Sequence, residues 1–186
     1  MTYPELQKKT LALIEEYNAE NEDKTDDPDI AAKFMSVTNQ VAYELARIKK
    51  LPRYVEIQVK KDQILDFPAI GVACDARIYQ INVVRGVGFE YKADGTVLKF
   101  KEEGIAEIDC YVYPEYITEE NAENYVFPQS DDVLEIMPYG IAADLLKSDV
   151  SSEYGSVYAT RYEQMLQRID PRNNMPSIYI DGGVMI

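Results

Sequence analysis

Between Glu102 and Leu146 the chain carries twelve acidic residues and no lysine or arginine. Carboxylates at this density invite comparison with glycosidases, which hold two acids a fixed distance apart across a scissile bond. Within the run, however, Glu107 and Asp109 alternate with apolar residues, as the solvent-facing side of a strand does. We therefore expect no catalytic pair. Asp26, Asp27 and Asp29, with Glu22 and Asp23 nearby, offer oxygens of the kind that bind Ca²⁺. An EF-hand loop needs alternating acids, a central glycine and a closing glutamate. That spacing is absent, and the stretch reads as a solvated loop.

Other chemistries are limited by what the chain lacks. It contains no histidine, which excludes a Ser-His-Asp triad, a Cys-His pair and any zinc site that needs imidazole. Its two cysteines, Cys74 and Cys110, are too few for a zinc cluster and too far apart for a CxxC motif. Both lie in apolar, strand-like surroundings and read as inert core thiols. Arg85-Gly86-Val87-Gly88 lacks the spacing of a phosphate loop and reads as a turn between strands. No catalytic residue, metal or cofactor is expected. The 186 residues carry 33 Asp+Glu against 19 Lys+Arg, a net charge of −14 that opposes tight binding along nucleic-acid phosphates. The modest basic clusters, Lys8-Lys9 and Arg47, Lys49, Lys50 and Arg53, read as a salt-bridged surface.

These residues must be positioned by elements that the hydrophobic pattern specifies. Thr2 and Glu5 have capping-box spacing before a helix over residues 3–19, whose face is Leu6, Thr10, Leu13, Ile14 and Tyr17. Asp27-Pro28 opens a second helix, with Ile30, Phe34, Val37, Val41, Leu45 and Ile48 on one stripe ending near Lys50. The period then changes to two. Strands are expected at 53–60, 64–67, 77–84, 87–92, 96–101 and 105–113, with Asp94-Gly95 as a type I′ turn and a reversal at Glu102–Gly104. In the last strand Ala106, Ile108, Cys110 and Val112 share one face. After an irregular stretch, residues 131–149 return to a helical period with Leu134, Met137, Ile141 and Leu145 on a stripe; at Pro138 the helix either kinks or begins, and a kink is favoured. A last helix covers about 152–169.

The fold class expected is α+β. Residues 1–51 and 131–170 would form a helical core, 52–130 an inserted antiparallel β-sandwich or partly closed barrel, and 171–186 an extended arm. Candidate contact residues lie at the C-terminal end. Tyr154, Tyr158 and Tyr162 are four apart and share one side of the last helix, either packing on the protein's own helices or forming an interface. Arg161 sits beside them. In the arm, Ile178, Tyr179 and Ile180 have strand character without a local hairpin partner, and Val184 and Ile186 are apolar. Such an arm is either disordered or a strand offered to another subunit's sheet, and we favour the second. The chain has no apolar run near the length of a membrane span, and its first residues lack a signal peptide's apolar core. It is expected to begin in the cytoplasm.

The C-terminal half resembles head–tail connector (neck adaptor) proteins of tailed bacteriophages of Gram-positive hosts. The resemblance rests on Pro138-Tyr139-Gly140-Ile141-Ala142-Ala143, on Leu145-Leu146-Lys147-Ser148-Asp149, on Arg161-Tyr162-Glu163 and on Gly182-Gly183. Cys110-Tyr111-Val112-Tyr113-Pro114 and Ile117-Thr118 also fit. It covers roughly residues 75–186, and the first two helices in general layout only. It implies a non-enzymatic virion protein, a helical core with a β insertion, assembled as a homo-oligomeric ring (often a dodecamer) beneath the portal. Such a ring joins portal to stopper or tail proteins in the virion neck and lets DNA pass without sequence-specific binding. An acidic balance suits that passage. The competing expectation is a baseplate or tail-tip module whose β domain grips a carbohydrate or protein receptor, with Tyr111, Tyr113 and Tyr116 as its platform.

Overall fold

The computed structural model describes residues 1–18, 20, 24–92, 96–148 and 154–169. It is mixed α and β. Helix α1 (Tyr3–Leu13) starts at the expected capping box: the Glu5 amide donates to Thr2 Oγ1 at 3.3 Å and the Thr2 amide donates to Glu5 Oε2 at 2.7 Å. It stops earlier than the sequence pattern suggests, because Glu15 takes a left-handed conformation with φ 60°. Tyr17 consequently stands in solvent rather than on the helix face. Helix α2 (Pro28–Ile48) follows the expected stripe, and its first turn is closed by Asp27 accepting from the Asp29 and Ile30 amides.

Six strands follow within residues 51–112, as expected: β1 (Leu51–Val59), β2 (Ile64–Asp66), β3 (Ile78–Arg85), β4 (Phe89–Lys92), β5 (Val97–Phe100) and β6 (Gly104–Val112). They form two antiparallel three-stranded sheets, ordered β1-β6-β3 and β2-β5-β4. The sheets do not close into a barrel, but they share one apolar cluster. Leu98 and Phe100 from β5 meet Val55, Val59, Ala106, Ile108, Cys110 and Val112 from the other sheet. Glu102 turns the chain by accepting the Gly88 amide at 2.6 Å. Gly86 has φ +84° and its backbone lies so close to Ile105 that a Cβ would come 2.4 Å from the carbonyl oxygen, so only glycine fits. The Asp94-Gly95 turn lies outside the described residues.

One helix was not anticipated. Helix α3 (Phe67–Cys74) packs on β1 and β3 and sends Ile70 into the β cluster. Its apolar run looks extended on sequence, but Asp66 caps it by accepting the Ala69 amide at 2.9 Å, and Pro68 lies in its first turn. At Pro138 the structure takes the less favoured of the two alternatives, a helix start. The 131–149 stretch is not one kinked helix. Helix α4 (Asp131–Leu134) ends and α5 (Met137–Leu145) begins anew, placing Pro138 in the first turn, where its missing N–H costs nothing. A 3-10 turn over Leu146–Ser148 follows, and α6 (Tyr154–Ile169) completes the described chain.

Helices α1, α2, α4 and α5 surround a second apolar cluster built on Leu6, Phe34, Val41, Leu45, Met137 and Ile141. The segment between β6 and α4, grouped with the β module on sequence, sends Ile117, Tyr125 and Phe127 into this helical cluster. It is held at two places. The Tyr3 amide donates to the Tyr125 carbonyl at 2.9 Å and the Phe127 amide to the Met1 carbonyl at 3.1 Å, pairing the segment with the N-terminus. Asn39, 3% exposed on α2, donates through Nδ2 to the Ile117 carbonyl at 2.9 Å and accepts the Ile117 amide at 2.8 Å. Replacing Asn39 by alanine strands both buried backbone groups, each at roughly 1–3 kcal/mol. Asn39→Ala is therefore expected to lower the unfolding free energy by about 3 kcal/mol, read as a shift of the urea midpoint at unchanged slope.

Candidate functional site: a tyrosine–arginine seam

Where the β module meets α2, the surface is made of tyrosine rings and cations. Tyr43 and Arg47 are one turn apart on α2, Tyr79 lies on β3, Tyr111 lies on β6, and Tyr113 follows it. The Tyr113 ring stacks on Tyr43 with centroids 4.7 Å apart and a 19° interplanar angle, and lies 4.8 Å from Tyr79. Arg47 donates from Nε to the Tyr113 hydroxyl at 2.7 Å, while the Arg77 guanidinium lies 5.3 Å from the Tyr113 ring and 5.8 Å from Tyr43. Lys50 stands 4.6 Å over Tyr111. A cation over a ring face gains from the ring's quadrupole, most where water is excluded. Tyr79 adds a backbone bond: its hydroxyl donates at 2.8 Å to the carbonyl of Ala46, in the last turn of α2, where no intrahelical partner is available. Burial is the main reason the Tyr79 hydroxyl is pushed up to about 12.

The basic cluster therefore behaves differently from the salt-bridged surface expected of it. Lys49 does pair with Asp132 at 2.8 Å, but Arg47 and Lys50 engage tyrosines. Beside the seam runs a groove of about 1250 Å³, lined among others by Tyr43, Arg77, Tyr113, Tyr116, Glu120 and Asn124. Tyr116 meets Tyr43 edge-on at 6.2 Å and is 51% exposed. Of the three tyrosines expected as a platform, Tyr111 and Tyr113 are thus engaged at the junction with α2, and Tyr116 faces outward. Tyr43, Tyr79 and Arg77 were missed on sequence. The available signal was Tyr43 and Arg47 sharing a face of α2 away from its apolar stripe.

The tyrosines of α6 divide in the same way. Tyr162 is buried, with its ring against Gly140 so closely that a Cβ there would meet it at 2.7 Å. Its hydroxyl has no well-formed hydrogen bond and lies near the carboxylates of Glu44 and Asp144. Burial, then the charge of Glu44, hold that hydroxyl far above the ordinary tyrosine range. Glu44 is itself held above the ordinary carboxylate range, chiefly by desolvation. Tyr158 donates to the Leu13 carbonyl at 2.6 Å, at the open end of α1. Tyr154 and Arg161 are exposed, as is Val157. Two of the three tyrosines therefore fasten α6 to the helical body, and its outer face carries Tyr154, Val157 and Arg161. Ile178, Tyr179, Ile180, Val184 and Ile186 lie outside the described residues.

Elsewhere the acids serve as surface. Asp109 pairs with Arg85 at 2.9 Å, and Glu56 stands opposite Glu107 across β1 and β6 and accepts from the Tyr54 hydroxyl at 2.7 Å. Among the described residues, no three or more cysteine or carboxylate side chains converge in a way that could hold a metal ion, and no helix is long and apolar enough to cross a membrane.

Truncating the centre of the seam separates its structural from its surface tyrosines. Tyr113→Ala is expected to cost about 3 kcal/mol of stability, the range for removing a packed aromatic ring. Tyr116→Ala should stay within about 0.5 kcal/mol. Denaturant unfolding of the two variants side by side checks both. Equal losses would mean that Tyr113 is not the centre of the seam.

Compared with known proteins, the chain matches no protein-family model and no curated protein.

Proposed function

We propose that this chain is a non-enzymatic structural protein of a tailed-phage particle, a connector that self-associates into a ring between portal and tail. The observation that carries the reading is a packing contact between the motifs of the resemblance. Tyr162, from Arg161-Tyr162-Glu163, packs closely against Gly140, from Pro138-Tyr139-Gly140-Ile141-Ala142-Ala143. Those residues thus fasten α6 onto α5, which is the work expected of a scaffold. A helical body with a two-sheet module between α2 and α4 agrees with the layout that the resemblance implies. On this reading the partners are the portal and the stopper or tail proteins. The ring would stand in the virion neck, assembled in the host cytoplasm. The net charge of −14 suits a wall past which DNA slides without sticking.

A second reading, a tail-tip or baseplate module that binds a receptor, is favoured by one feature: the groove beside the outward-facing Tyr116.

Immunogold labelling of purified particles, viewed by electron microscopy, separates the two. The connector reading expects gold at the head–tail junction. Gold at the distal end of the tail would favour the receptor-binding module. Particles that carry no label, in a lysate where free protein is labelled, would remove both.

A further inference from the structure

The two cysteines of the chain belong to different elements, and the fold brings them together. Cys74 closes α3, and Cys110 lies on β6, the central strand of its sheet. Helix α3 packs on β1 and β3, the strands that flank β6, and contributes Ile70 to the same apolar cluster as Cys110. Shortly after Cys74 the chain enters β3, whose Ile81 is the register partner of Cys110. The Cys74 thiol donates to the Gly71 carbonyl and the Cys110 thiol to the Arg53 carbonyl, both at 3.5 Å, and Cys74 packs against the apolar cluster that holds Cys110. Cys110 is 1% exposed, whereas Cys74 is half-buried.

We propose that Cys74 and Cys110 form an oxidisable dithiol, a modification site that closes to an intrachain disulfide with a small disulfide oxidant of the glutathione class. The Cys74 thiolate attacks one sulfur of the oxidant. The oxidant's S–S bond breaks, one thiol leaves, and Cys74 carries a mixed disulfide. Cys110 then loses its proton to solvent and attacks the Cys74 sulfur, releasing the second thiol. Two protein thiols become one disulfide while one oxidant disulfide becomes two thiols, so two electrons and two protons leave the protein. Cys74, the more exposed of the two, is the point of entry, and burial, which pushes the Cys110 thiol up to about 11, makes ring closure the slow step. The bond ties the end of α3 to the middle of the first sheet and shortens the unfolded chain's freedom there. The proposal does not depend on the virion reading.

The test uses the purified full chain, incubated with oxidised glutathione and followed by intact mass and thermal melting. The expected product has lost two hydrogens, melts several degrees higher, and reverts with dithiothreitol. Cys110→Ala should instead accumulate a stable glutathione adduct on Cys74. The wild-type result decides the matter if that variant does not fold. A persistent adduct on Cys74, disulfide-linked dimers, or two thiols still free after prolonged oxidation would each overturn the proposal.

Discussion

The two-way hydrogen bond between Asn39 and the backbone of Ile117 is the constraint on which the rest of the architecture depends. A chain that leaves a helical body to build two sheets must re-enter it, and the returning backbone arrives without helix or strand partners of its own. Buried backbone amides and carbonyls need partners. One amide side chain on α2 supplies both for Ile117, which lets that residue occupy the apolar cluster while remaining irregular. The direction of everything after it follows: Tyr125 and Phe127 reach the N-terminal residues, and α5 is set against α2.

The same point fixes the seam. Tyr113 and Tyr116 lie only a few residues before Ile117, so anchoring Ile117 on α2 holds them near Tyr43 and Arg47 on the same helix. The β module is then joined to the helical body by stacked rings and by the hydroxyls of Tyr79 and Tyr113 at the end of α2. Such a junction is amphipathic. The groove runs along one side of it. Within the helical body, Gly140 gives α6 its place by leaving room for one ring.

Local signals in the sequence carried much of this. The stripe on α2, the cap at Thr2 and Glu5, the six strands and the inward face of β6 all follow from period and capping. Short apolar segments were less legible. Phe67–Cys74 has no polar face to betray its period, and its cap at Asp66 was the readable clue. The stop of α1 at Glu15 and the restart at Met137 depend on backbone conformations that several residues could adopt. The site was the least legible part. The tyrosines of β6 were visible, but their partners Tyr43, Tyr79 and Arg77 come from other elements, and so does the approach of Cys74 to Cys110. No spacing rule connects residues that meet only through tertiary packing.

The central claim is that the returning segment is part of the helical body and not a surface loop. Amide hydrogen exchange at Ile117 tests it most directly. The account predicts that this amide, bonded to Asn39 and buried, exchanges as slowly as the core amides of α2 around Leu45. Exchange of Ile117 at the rate of an open loop, while α2 stays protected, would contradict it.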